Sequence, residues 1–213
     1  MANVAEFISE VGIVPVVKLT DVATTLPVME ALIAGNVPVA EITFRTDCAA
    51  EAIRVAAENF GDKMLVGAGT VVDARQAEAA VNSGARFIVS PGYSEAVNGV
   101  CRANGILYVP GAVTPTEIMQ AYAGGNRIIK FFPASVYGGT AALKALGAPF
   151  GDIKFVPTGG VNANNLKDFL SLSNVAACGG SWMVAESLIK AGDYAAVTNL
   201  SLEASAIVNS LRK

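Results

Sequence analysis

The stretch Gly124-Gly125-Asn126-Arg127-Ile128-Ile129-Lys130-Phe131-Phe132-Pro133 decides how the rest of the chain is read. It opens on two glycines able to close a helix, runs into an apolar segment at 127–131 and ends at a proline. A glycine just past a helix takes the left-handed conformation without a Cβ penalty, and the chain can then turn into a strand. The same punctuation recurs as Ala34-Gly35 before 37–43, Ser83-Gly84 before 86–89 and Asn104-Gly105 before 106–109. Helix starts are marked as well. Thr114-Pro115-Thr116-Glu117 is a capping box with proline at the first helical position, and Asn162 can cap the run that follows it.

Between these marks lie eight short apolar runs, around 13–17, 37–43, 64–68, 86–90, 106–109, 127–131, 153–157 and 175–178. Helical patterns fill the gaps, with an extra helix at 2–10 and another around 193–211. Near-continuously apolar strands are expected where helices cover both faces of a parallel sheet. A repeat of roughly 20 to 25 residues suits a minimal βα unit. The expectation is an α/β chain folded as a (β/α)8 TIM barrel with an extra N-terminal helix, in one domain over 1–213. An open doubly wound sheet is the alternative, because strand order cannot be read from one sequence. In a barrel the active site lies at the C-terminal ends of the strands.

Composition narrows the chemistry. The 213 residues carry 15 Lys and Arg against 18 Asp and Glu, a net charge of −3, and no histidine. That balance, with a pI near 5.0, argues against nucleic-acid or anionic-membrane binding. The lack of histidine excludes a Ser-His-Asp triad, a Cys-His nucleophile, a His-liganded zinc and any imidazole acid or base. Mean hydropathy is +0.48, yet the longest charge-free stretch, 169–185, is short and broken by Ser171, Ser173, Asn174, Gly179, Gly180 and Ser181. Glu6 and Glu10 stand where a signal peptide needs a cationic and then an apolar run. Cys48, Cys101 and Cys178 form no CxxC and read as small buried residues in a reducing compartment. A soluble cytoplasmic protein is expected.

The unusual residues fall at strand ends. Lys130 sits in an apolar strand, where burial disfavours its charged form. A desolvated amine with a free lone pair is what Schiff-base formation with a ketone requires; a lysine snorkelling to solvent is the plainer reading. Strand alternation puts Val39, Glu41 and Thr43 on one side, with Arg45 continuing the series. A carboxylate inside a core strand serves either as a general acid/base or as half of a buried ion pair. Pro157-Thr158-Gly159-Gly160 and Cys178-Gly179-Gly180-Ser181 are glycine turns after the last two strands, where phosphate sites recur in barrels. Gly67-Ala68-Gly69-Thr70 either admits a ligand close to the backbone or simply turns. Lys18 and Arg45 suit a substrate carboxylate, or are solvated charges. Asp152 and Lys154 read as surface residues, and Trp182 as a core or interface residue.

Taken in order, Glu41-Ile42-Thr43-Phe44-Arg45-Thr46, Gly67-Ala68-Gly69-Thr70, Ser90-Pro91-Gly92, Lys130-Phe131-Phe132-Pro133, Pro157-Thr158-Gly159-Gly160 and Gly179-Gly180-Ser181 resemble the 2-keto-3-deoxy-6-phosphogluconate (KDPG) aldolases, which also act as 4-hydroxy-2-oxoglutarate aldolases. The resemblance covers essentially the whole chain. It implies a class I aldolase on a (β/α)8 barrel, cytoplasmic, typically a homotrimer, needing no metal or cofactor and acting on a small keto-acid. It implies that Lys130 forms the Schiff base and Glu41 is the general acid/base. Arg45 and Thr70 then match the pyruvate carboxylate region, and Pro91, Phe132 and Thr158 the pocket. Gly159, Gly160, Gly180 and Ser181 match the phosphate site. Lys18, a further substrate contact, stands where several relatives carry arginine. A galactonate-series aldolase, a phosphosugar isomerase or epimerase working without an imine, and a phospho-keto-acid sensor are the rival readings.

Overall fold

A computed structural model describes residues 3–211. In chain order the elements are α1 (Val4–Val11), β1 (Ile13–Val17), α2 (Thr25–Ala34), β2 (Val39–Thr43), α3 (Ala49–Phe60), β3 (Leu65–Gly69), α4 (Ala74–Asn82), β4 (Phe87–Val89) and α5 (Glu95–Ala103). There follow β5 (Leu107–Val109), α6 (Pro115–Ala123), β6 (Ile128–Phe131), α7 (Gly139–Leu146), β7 (Lys154–Pro157), α8 (Ala163–Leu170), β8 (Cys178–Gly180), α9 (Glu186–Ala191) and α10 (Tyr194–Leu211). Short 3-10 turns at Val22–Thr24 and Trp182–Val184 complete the order.

Every strand pairing is parallel, so the C-terminal strand ends gather on one side. The ladder is not the closed ring expected of a barrel. It divides into a six-stranded sheet, β5-β4-β3-β2-β1-β8, and a two-stranded pair, β6-β7. Single bridges span the two gaps: Gly111 with Lys130 on one side, Phe155 with Val175 and Thr158 with Gly179 on the other. Proline explains the first gap. Pro110 directly follows β5 and has no N–H to give a ladder, so pairing resumes only one residue later. The last strand begins at Cys178 rather than near 175; Val175 contributes only a bridge to Phe155.

The core fills with large apolar side chains such as Ile13, Ile42, Ile88, Phe131 and Phe155, all at most 1% exposed or fully enclosed. The rings of Phe131 and Phe155 meet edge-on with centroids 6.3 Å apart. The expected caps form: Thr114 Oγ1 accepts from the Glu117 N–H, and Glu117 accepts in return from Val113 and Thr114. The helix-end glycines differ in part from expectation. Gly84, Gly105 and Gly125 do adopt positive φ, but after α2 the left-handed residue is Asn36, not Gly35. Gly35 serves packing instead, since a Cβ there would lie 2.3 Å from Cβ of Ser201 on α10.

Candidate active site

Although β2 and β6 belong to different sheets, their central side chains meet. Lys130 Nζ donates to Glu41 Oε1 at 3.3 Å, and the two side chains are only 7% and 3% exposed. A pair withdrawn from water neutralises both charges and can pass a proton without solvent. The cation that pairs with Glu41 is therefore Lys130.

Glycines on β3 make space for this arrangement. A Cβ at Gly69 would lie 2.1 Å from Glu41 Oε1, and one at Gly67 would lie 2.4 Å from the Phe87 ring. The Gly67–Gly69 segment is thus strand, not turn. Thr70, immediately after it, holds φ +57, a backbone state costing a β-branched residue about 1–3 kcal/mol.

Lys130 is held by its own backbone as well. Its N–H donates to the Pro110 carbonyl at 2.8 Å, and its carbonyl accepts from Ala112 at 3.0 Å. Gly111 between them admits no side chain, because a Cβ would lie 2.0 Å from the Pro91 carbonyl oxygen. Lys130 Nζ stands 5.4 Å from the Phe132 ring centroid, within cation–π reach. Pro91, Gly111, Phe132 and Tyr137 border a cavity of about 480 Å³.

On the face shared with Glu41, the Thr43 hydroxyl donates to the Val17 carbonyl at 3.1 Å and accepts from Arg45 Nε at 3.3 Å. Thr43 was not singled out from the sequence, although the alternation that aligned Glu41 with Arg45 contained it. Arg45 is exposed and lines a second cavity, of about 360 Å³, with Asp47 and Arg75.

The first of the two glycine turns is tied to the segment after β6. Ala134 N–H donates to the Thr158 carbonyl at 2.8 Å and Ser135 N–H to the Gly159 carbonyl at 3.1 Å. Gly159 and Gly160 have φ +91 and +80, and a Cβ on Gly160 would lie 2.1 Å from Ser135 Oγ. Thr158 is buried, and Gly179 leaves space for its hydroxyl. The Trp182 ring packs directly over Gly180, in keeping with a packing role, and Ser181 is exposed. Among the described residues, no backbone hydrogen bond is recorded from the N–H groups of Gly160 and Ser181, whereas Gly159 sits beside the Thr158–Gly179 bridge.

Lys18 is not simply solvated. Its Nζ lies 3.0 Å from Glu186 Oε1, with side chains 31% and 41% exposed. The Lys18 hydrogen bond chiefly holds the Glu186 carboxyl below its ordinary range, and the charges of Lys190 and Arg45 add to it. Nothing in the periodicity of the sequence pointed to Glu186. Asp152 and Lys154 are exposed, as expected. Burial pushes the Cys101 thiol up to about 12 and raises Cys178 further, which leaves both unreactive. Among the described residues, no group of three or more His, Cys, Asp or Glu is placed to hold a metal ion. No helix there is long and apolar enough to cross a membrane.

The chain is similar to known proteins over nearly its whole length. Residues 4–200 match the family model described as KDPG and KHG aldolase. A 2-dehydro-3-deoxy-phosphogluconate aldolase of Treponema pallidum is 43% identical over 98% of this chain and 99% of its own length. The KHG/KDPG aldolase of Escherichia coli K12 is 40% identical over 94% of each chain. Among solved structures, the KDPG aldolase of Legionella pneumophila, with pyruvate captured as a covalent carbinolamine, superposes with a TM-score of 0.90. It shares 36% identity over 95% of this chain and 98% of that one.

Proposed function

The chain belongs to the KDPG and KHG aldolase family, and from that premise we propose how its residues carry the reaction. It is a carbon–carbon lyase that cleaves 2-keto-3-deoxy-6-phosphogluconate to pyruvate and glyceraldehyde 3-phosphate, and 4-hydroxy-2-oxoglutarate to pyruvate and glyoxylate. The observation that carries the reading is the buried contact of Lys130 with Glu41.

Lys130 Nζ attacks the C2 ketone, and Glu41 moves the protons that turn the carbinolamine into an iminium. The iminium draws in the electron pair of the C3–C4 bond as the C4 hydroxyl loses its proton and the aldehyde departs. The enamine left behind is protonated at C3 and hydrolysed to pyruvate, freeing Lys130. Arg45 and Thr70 hold the substrate carboxylate, with Thr43 fixing Arg45. Pro91, Phe132 and Thr158 bound the pocket. Gly159, Gly160, Gly180 and Ser181 take the distal phosphate, a role that the available N–H groups of Gly160 and Ser181 support. Lys18, read from the sequence as a carboxylate contact, follows the strand paired with Gly180, and its charge is assigned to that end.

The same reading treats residues 1–213 as one domain whose eight strands surround a common interior as a (β/α)8 barrel. The bridges across both gaps support this, as does the meeting of β2 and β6 side chains. A cytoplasmic homotrimer completes it. Replacing Lys130 by Met tests the assignment: pyruvate release should fall at least about 10³-fold while the far-ultraviolet spectrum stays native. Turnover near the wild-type rate from the folded variant would overturn it.

A further inference from the structure

The phosphate end of the site contains a residue that the reaction itself does not require. Lys18 leaves β1 next to the second glycine turn, because Pro15 of β1 pairs with Gly180 of β8. Glu186 lies five residues beyond Ser181 on the same connection and engages Lys18 at 3.0 Å. Its other oxygen faces Lys190 Nζ at 3.7 Å. A carboxylate therefore already engages the cation that follows the strand paired with Gly180.

We propose that Glu186 is a specificity-determining residue that acts as an internal anion competing with the substrate phosphate for Lys18. The proposal rests on the phosphate assignment made above. A phosphorylated six-carbon substrate must displace Glu186 from Lys18 and tolerate its charge nearby. An unphosphorylated five-carbon keto-acid leaves the pair intact. Glu186 thus lowers the advantage that the phosphate confers and widens the substrate range. A half-exposed pair is worth up to about 1 kcal/mol, which sets the size of the effect at about five-fold.

The test is a double-mutant cycle on Lys18 and Glu186, with kcat and KM measured separately for 2-keto-3-deoxy-6-phosphogluconate and 4-hydroxy-2-oxoglutarate. Glu186→Gln should lower KM for the phosphorylated substrate about three- to five-fold, with kcat and both constants for the five-carbon substrate within two-fold or so of wild type. In a Lys18→Met background the same change should have no such effect. The gain should also shrink at high salt. An unchanged KM ratio would overturn the proposal, and so would a rise in KM for the phosphorylated substrate, which would make Glu186 a support for Lys18. An equal gain without Lys18 would reduce Glu186 to simple repulsion and overturn it too. Both variants alter a solvent-accessible pair, so folding is not at stake. If Ser181→Asp in the wild-type background affects both substrates equally, the phosphate assignment itself fails, a result separate from any of these.

Discussion

Lys130 differs from a surface lysine in having its Nζ almost out of water, against a Glu41 side chain equally withdrawn. Glu41→Gln keeps the shape of the side chain but removes the proton carrier. It should lower kcat about 10²–10⁴-fold while a slow imine still forms, as rapid-quench trapping would detect. An unchanged kcat would remove Glu41 from the mechanism. Gly69→Ala tests how that carboxylate is positioned, because the added Cβ would strike it at 2.1 Å. We expect kcat to drop at least about ten-fold and stability to fall by about 1–3 kcal/mol. A change in melting temperature with normal kinetics would mean Gly69 serves packing alone. Lys130 and Glu41 were legible one by one as polar residues inside apolar strands. That they touch was not, because 89 residues separate them and period-2 patterning says nothing about which strands face each other.

At the scale of elements, local chemistry was the most legible part. The α6 cap formed as read, and two N–H groups pull the Glu117 carboxyl below its ordinary range. Glu117→Ala should cost about 1 kcal/mol at pH 7. A lowered folded value means this contribution is complete above the unfolded value of about 4.3 and is lost as pH falls through the folded one. Chemical denaturation at pH 7 and pH 3 should therefore show the difference between wild type and variant narrowing with acid; a constant difference would contradict the capping account. Elsewhere, long-range packing overrode local rules. Gly35 resembles a helix-end glycine, but its lack of a side chain lets α10 approach α2, and Asn36 makes the turn. The start of β8 moved because Val175 found only a single partner in β7.

At the scale of the whole molecule, repeating βα punctuation conveyed the parallel α/β class, while the gap between β5 and β6 depended on Pro110 in a way no periodicity displays. Sedimentation equilibrium should return a mass near three times the 21.8 kDa chain; a monomer would contradict the trimer. The proposed reaction turns on Lys130 as the nucleophile that this framework positions. The most direct measurement is borohydride reduction in the presence of pyruvate, followed by intact and peptide mass spectrometry. A single reduced pyruvyl group on the peptide containing Lys130 is the predicted result. An adduct on another lysine, or none on folded protein, would contradict it.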